Sequence, residues 1–167
     1  MQWGNRKAVT RLAKAGSVIS DRLFFLAVSS GDVPVADALL QARSDILQVA
    51  AEDYRLVHRV MLAERLRGTD RGPMLQWLFS HGADRNESLT NDIPSPLWYA
   101  AGVLVTHRHM YRYLKPCTEV LLQCGAIADS YFDWWWDSSS RTPLGAAKCF
   151  QCKKSIDIFN AASKFNS

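Results

Sequence analysis

Seven consecutive residues, Tyr131-Phe132-Asp133-Trp134-Trp135-Trp136-Asp137, set five aromatic rings among two carboxylates. Trp and Tyr dominate interface energetics when a partner buries them. The run therefore reads as a partner-binding hot spot. A second reading is internal packing, with the rings folded back over residues 106–116, because large apolar patches are rarely left exposed without a use. Both readings hold if different rings do different work.

The other chemically suggestive stretch is Thr106-His107-Arg108-His109-Met110-Tyr111-Arg112-Tyr113-Leu114-Lys115. Interleaved basic and aromatic residues can neutralise phosphates and stack on bases. Only three Arg or Lys contribute, and no nucleic-acid motif surrounds them. The favoured reading is an elongated helix with solvated Arg and packed Tyr. Its charge also complements Asp133 and Asp137.

Cys149-Phe150-Gln151-Cys152 has Cys-x-x-Cys spacing, with Cys117 and Cys124 upstream and His107 and His109 between the helical stretches. Zinc takes four N or S ligands in a tetrahedron. Cys117 and Cys124 lie outside the usual short ligand spacing, and free cysteines bury well as small hydrophobes. The expectation is core or free thiols, with no metal and no cofactor. His58 and His81 have no Ser, Cys or acid partner at catalytic spacing. No phosphate loop, nucleophile elbow or His-Glu-x-x-His occurs. Nothing in these residues predicts an enzyme.

The elements that would position these residues are announced by a repeat. Ser95-Pro96-Leu97-Trp98-Tyr99-Ala100-Ala101 returns as Thr142-Pro143-Leu144-Gly145-Ala146-Ala147. A Ser or Thr caps a helix, Pro fits its first turn, and paired alanines admit a neighbouring helix. A second signal is Leu121-Leu122-Gln123-Cys124-Gly125-Ala126, with its counterpart Leu78-Phe79-Ser80-His81-Gly82-Ala83-Asp84. There the glycine suits the left-handed residue that ends a helix. Earlier, Phe25-Leu26-Ala27-Val28-Ser29-Ser30-Gly31 and Leu39-Leu40-Gln41-Ala42-Arg43-Ser44 keep the spacing, with Arg43-Ser44 replacing Gly-Ala.

Together these motifs resemble the ankyrin repeat, with its T-P-L-H-x-A signature and unit of about 33 residues. The resemblance covers most of the chain, from Asp21 to Ala162. Arg22, Arg55, Ser95 and Thr142 take equivalent places, at intervals of 33, 40 and 47 residues. The resemblance implies an all-α, ankyrin-type solenoid of helix-turn-helix units. It divides the single domain 1–167 into an N-terminal half-repeat cap, 1–20, and repeats at 21–54, 55–94, 95–141 and 142–167. Enlarged loops are expected at 102–116 and 126–141.

The resemblance also implies a non-catalytic module that binds a partner protein through projecting fingers and a concave helix face. Carried onto this chain, the site residues are Tyr131, Phe132, Asp133, Trp134, Trp135, Trp136, Asp137, Trp98, Tyr99, Arg85, Asn91 and Asp92, with Asn86 beside them. The alternative is a nucleic-acid-binding or enzymatic protein built on the same scaffold, with its site near 106–116.

Composition agrees with one ordinary globular domain: 167 residues, 48% hydrophobic and 22% charged. A net charge of +4 spread along the chain does not call for nucleic acid. No apolar run approaches the roughly 18 residues of a membrane span. No obligate small-molecule ligand is expected. Four cysteines do not make a disulfide scaffold, so the expected setting is intracellular, cytoplasmic or nuclear.

Overall fold

A computed structural model describes residues 6–16, 18–48, 56–62, 71–86, 95–106, 111–128, 142–149 and 153–163. It is all-helical, with no strand among the described residues. The helices are α1 (Arg6–Lys14), α2 (Asp21–Ser29), α3 (Val33–Ala42), α4 (Leu56–Leu62), α5 (Gly72–Ser80), α6 (Pro96–Thr106), α7 (Tyr111–Gln123), α8 (Pro143–Cys149) and α9 (Lys153–Ser163).

Their contacts sort them into two rows. In one, α2 packs on α4, α4 on α6 and α6 on α8. In the other, α1 packs on α3, α3 on α5, α5 on α7 and α7 on α9. Cross-contacts join α2 to α3, α4 to α5, α6 to α7 and α8 to α9. The chain thus alternates between rows.

Helix starts follow from capping side chains. The Leu23 N–H donates to Ser20 Oγ (3.3 Å), Trp98 N–H to Ser95 Oγ (3.3 Å) and Gly145 N–H to Thr142 Oγ1 (3.0 Å). Each bond satisfies an amide that the helix cannot. Ser95 and Thr142 therefore start equivalent helices. In the first unit the cap is Ser20, two residues ahead of Arg22, so α2 begins about half a turn early.

Counted from Arg22, Arg55, Ser95 and Thr142, one burial pattern recurs. The third residues of these expected units are Phe24, Val57, Leu97 and Leu144; the first three are at most 1% exposed, and Leu144 packs against the core. The sixth residues, Ala27, Val60, Ala100 and Ala147, are all buried. Ala101 and Ala146 are also fully buried. The other row repeats as faithfully: Val35, Met74 and Cys117 share one buried position, and Leu39, Leu78 and Leu121 another.

Helix ends share one turn. Gly31, Gly82 and Gly125 have φ of 71°, 91° and 81°. At Gly82, the glycine N–H donates to Phe79 O (3.2 Å) and Ala83 N–H to Leu78 O (3.0 Å). Gly125 and Ala126 repeat this pair on Leu122 and Leu121, and Gly31 and Asp32 on Val28 and Ala27. This double bond to the last carbonyls is the Schellman closure that a left-handed residue permits.

Where Arg43 replaces glycine, the backbone is extended, with φ −142° and ψ 93°. Its side chain closes the unit instead. Nη1 donates to Ile19 O (3.1 Å) and Asp21 Oδ1 (2.5 Å), and Nε to Asp45 Oδ1 (3.2 Å).

The expected loop at 102–116 is largely helical. Residues 102–106 end α6 and residues 111–116 begin α7. Pro116 sits inside α7. It stands five residues before Leu121, as Pro34 stands before Leu39 and Pro73 before Leu78. In α3 and α5 that proline falls in the first turn. In α7 an added N-terminal stretch precedes it, and Lys115 Nζ pairs with Glu119 Oε1 one turn on (2.6 Å). Residues 107–110 and 129–141 lie outside the described residues.

Candidate functional site

The row α2–α4–α6–α8 offers a surface built from side chains that its own burial pattern leaves outward. In α2, Phe24, Ala27 and Val28 turn into the core, leaving Arg22 exposed and Phe25, Leu26 and Ser29 half-buried. In α4, Val57, Val60 and Met61 are buried and Arg59 is exposed. In α6, Leu97, Ala100 and Ala101 are buried and Tyr99 is half-buried.

These residues connect across helices. The Arg59 guanidinium carbon lies 5.6 Å from the Phe25 ring centroid, joining α4 to α2. A cation over an aromatic face is attracted by the ring quadrupole. The neighbouring His58 is buried and meets Tyr99 of α6 edge to face, with centroids 6.3 Å apart at 75°. Phe25, Arg59, His58 and Tyr99 thus form a continuous line over three helices. Burial pushes the Tyr99 phenol above its ordinary pKa of 10.0, because desolvation penalises the phenolate.

Trp98 is buried, at 6% exposed, so only Tyr99 of the expected pair presents surface. His58 occupies the same place in its unit as Trp98 and is buried too.

Other expected site residues lie at the glycine turns that follow α5 and α7. Arg85 is exposed, and its Nη1 donates to the Cys124 carbonyl of the next turn. The Ile127 N–H donates to Asn86 Oδ1 (2.8 Å). Consecutive turns are therefore tied side by side. Asn91, Asp92, Tyr131, Phe132, Asp133, Trp134, Trp135, Trp136 and Asp137 lie outside the described residues.

Trp77 braces the other row. Its Nε1 donates to Asp37 Oδ1 of α3 (3.3 Å), and its ring lies 4.5 Å from that of His81. Cys117 and Cys124 are free thiols, the first buried. Among the described residues, no group of three His, Cys, Asp or Glu could hold a metal ion. No described helix is long and apolar enough to cross a membrane.

Phe25 and Arg59 belong to the surface although the motifs did not single them out. The available signal was position: Arg59 falls just ahead of the buried Val60, as Tyr99 does ahead of Ala100, and Phe25 stands one place earlier, where His58 and Trp98 stand. Comparison with family models, curated proteins and solved structures finds no match for this chain.

Proposed function

We propose that this chain is an ankyrin-type repeat module that binds another protein and does no chemistry on it. The observation that carries the reading is the two-row pairing of helices, with the same glycine closure at Gly31, Gly82 and Gly125. Each unit then contacts mainly its neighbours, the arrangement of a stacked repeat protein.

In this reading the partner lies along Phe25, Arg59 and Tyr99 and against the turns near Arg85, with the Trp134–Trp136 segment extending the contact. The module works inside the cell, where Cys117 and Cys124 stay reduced. The test is selection of protein fragments against the wild-type chain, with binders rescreened on Tyr99→Ala and Phe25→Ala. Loss of roughly 2 kcal/mol, or about thirtyfold, at either position marks a hot spot. Binders indifferent to both of these variants and to Arg85→Ala, Trp134→Ala, Trp135→Ala and Trp136→Ala refute the reading.

A further inference from the structure

We infer that the partner segment seated on the α2–α8 row is an extended acidic peptide with apolar side chains interspersed. The inference rests on the interaction-module reading and adds the partner's chemistry.

The charge on this row is one-sided. Helices α4, α6 and α8 contain no Asp or Glu at all. The only carboxylate in α2, Asp21, accepts from Arg43. Arg22, Arg59 and Lys148 are exposed on the same row. The opposite row mixes both signs: Asp37, Glu119 and Asp157 stand among the basic residues of α1, α7 and α9. Among the described residues of these four helices, a carboxylate arriving at the α2–α8 row therefore meets Arg22, Arg59 and Lys148 and no acid other than Asp21, which Arg43 already holds.

Arg59 is presented for such a contact. Its guanidinium carbon lies over the Phe25 ring, 5.6 Å from the centroid, and its N–H fork is the part that can hold a carboxylate in bidentate fashion. No carboxylate among the described residues pairs with it. Phe25 beside it, and Leu26 and Tyr99 elsewhere on the row, are half-buried and offer apolar surface. An isolated cation would favour any anion; a cation set among aromatic rings favours one that brings apolar groups with it.

Spacing suits an extended chain. Packed helices stand about 10 Å apart, and an extended peptide advances about 3.3 Å per residue. One helix is thus met about every three residues, and the four-helix row takes a segment of about ten. Nucleic acid fits less well, because three cations neutralise few phosphates and give weak binding at physiological salt.

The test is fluorescence anisotropy on the full chain. The probes are a labelled peptide of about ten residues alternating Glu and Phe, its Lys counterpart, and a single-stranded oligonucleotide of similar charge. The acidic peptide is expected to bind, more weakly as salt rises. Arg59→Glu and Arg22→Glu should each weaken it about tenfold or more. Arg11→Glu, an equally exposed cation on α1, should change it less than about twofold. Arg59→Lys keeps the charge without the fork, so an intermediate loss is expected even if the reversal disturbs folding. Binding of the Lys peptide as tightly as the Glu peptide overturns the inference, as does equal loss with Arg11→Glu. Preferential, Arg59-dependent binding of the oligonucleotide overturns it in favour of nucleic acid. If the acidic peptide fails while selected fragments still depend on Tyr99, the acidic class falls and the module stands; if both fail, both fall.

Discussion

Replacing Gly82 by Ala tests the turn on which the repeat register depends, and the sign of the effect is diagnostic. The residue has φ +91°, and a Cβ built there meets nothing within 4 Å. No steric clash contributes, so the cost is backbone strain alone. Holding an L-residue in the left-handed region costs about 1–2 kcal/mol. The Ala side chain also restricts the unfolded chain, which returns about 0.4–1 kcal/mol. The net expectation is a loss of about 1 kcal/mol. For a chain of this length that lowers Tm by about 2–4 °C. Urea melts followed by circular dichroism would measure it, with Gly82→Asn as partner variant. Asn tolerates the left-handed region better and should recover most of the loss. Were the backbone right-handed at this residue, only the unfolded-state term would remain, and Gly82→Ala would stabilise. A variant as stable as the wild type, or more so, refutes the Schellman closure at Gly82.

Ala100 is fully buried where α6 meets its neighbours, so Ala100→Leu should overpack the row and cost about 1–3 kcal/mol in a thermal melt. Tyr99 has its folded pKa raised above its unfolded value near 10.0, so its contribution is present below that pH. Stability should fall as pH rises through about 10 and beyond, and less steeply in Tyr99→Phe, as alkaline melts would show. At Trp134, Trp135 and Trp136, alanine should spare the melt and weaken partner binding by roughly 2 kcal/mol at a hot spot. Losses of roughly 3–5 kcal/mol of stability at all three would make the segment a packed plug instead.

Much of the architecture was legible because local chemistry and packing agree. Ser95 and Thr142 cap the helices that their motifs announce, and Gly82 and Gly125 end theirs with the expected backbone. The start of α7 was legible only in part: residues 106–115 read as an elongated helix, while 102–116 also reads as an enlarged loop. The alignment of Pro116 with Pro34 and Pro73, each five residues before a buried leucine, shows how a helix runs through it. Ser20 was overshadowed because α2 caps two residues ahead of its packing register. The end of α3 departs for a third reason: in place of a glycine turn, Arg43 ties it through a long-range side chain to Ile19 and Asp21. The surface at Tyr99 followed from its motif, whereas the burial of Trp98 is a product of tertiary packing that the motif does not announce.

The pairing of each helix with its row neighbours also fixes how the molecule bears tension. Pulled from its two ends, the chain transmits the load through the units in series, because the substantial contacts run between adjacent helix pairs. No strand ladder among the described residues shares the force in parallel. Each helix pair can therefore peel away and lengthen the molecule while the next remains folded. On the repeat-module reading, stretching is expected to meet a compliant tether that yields in steps.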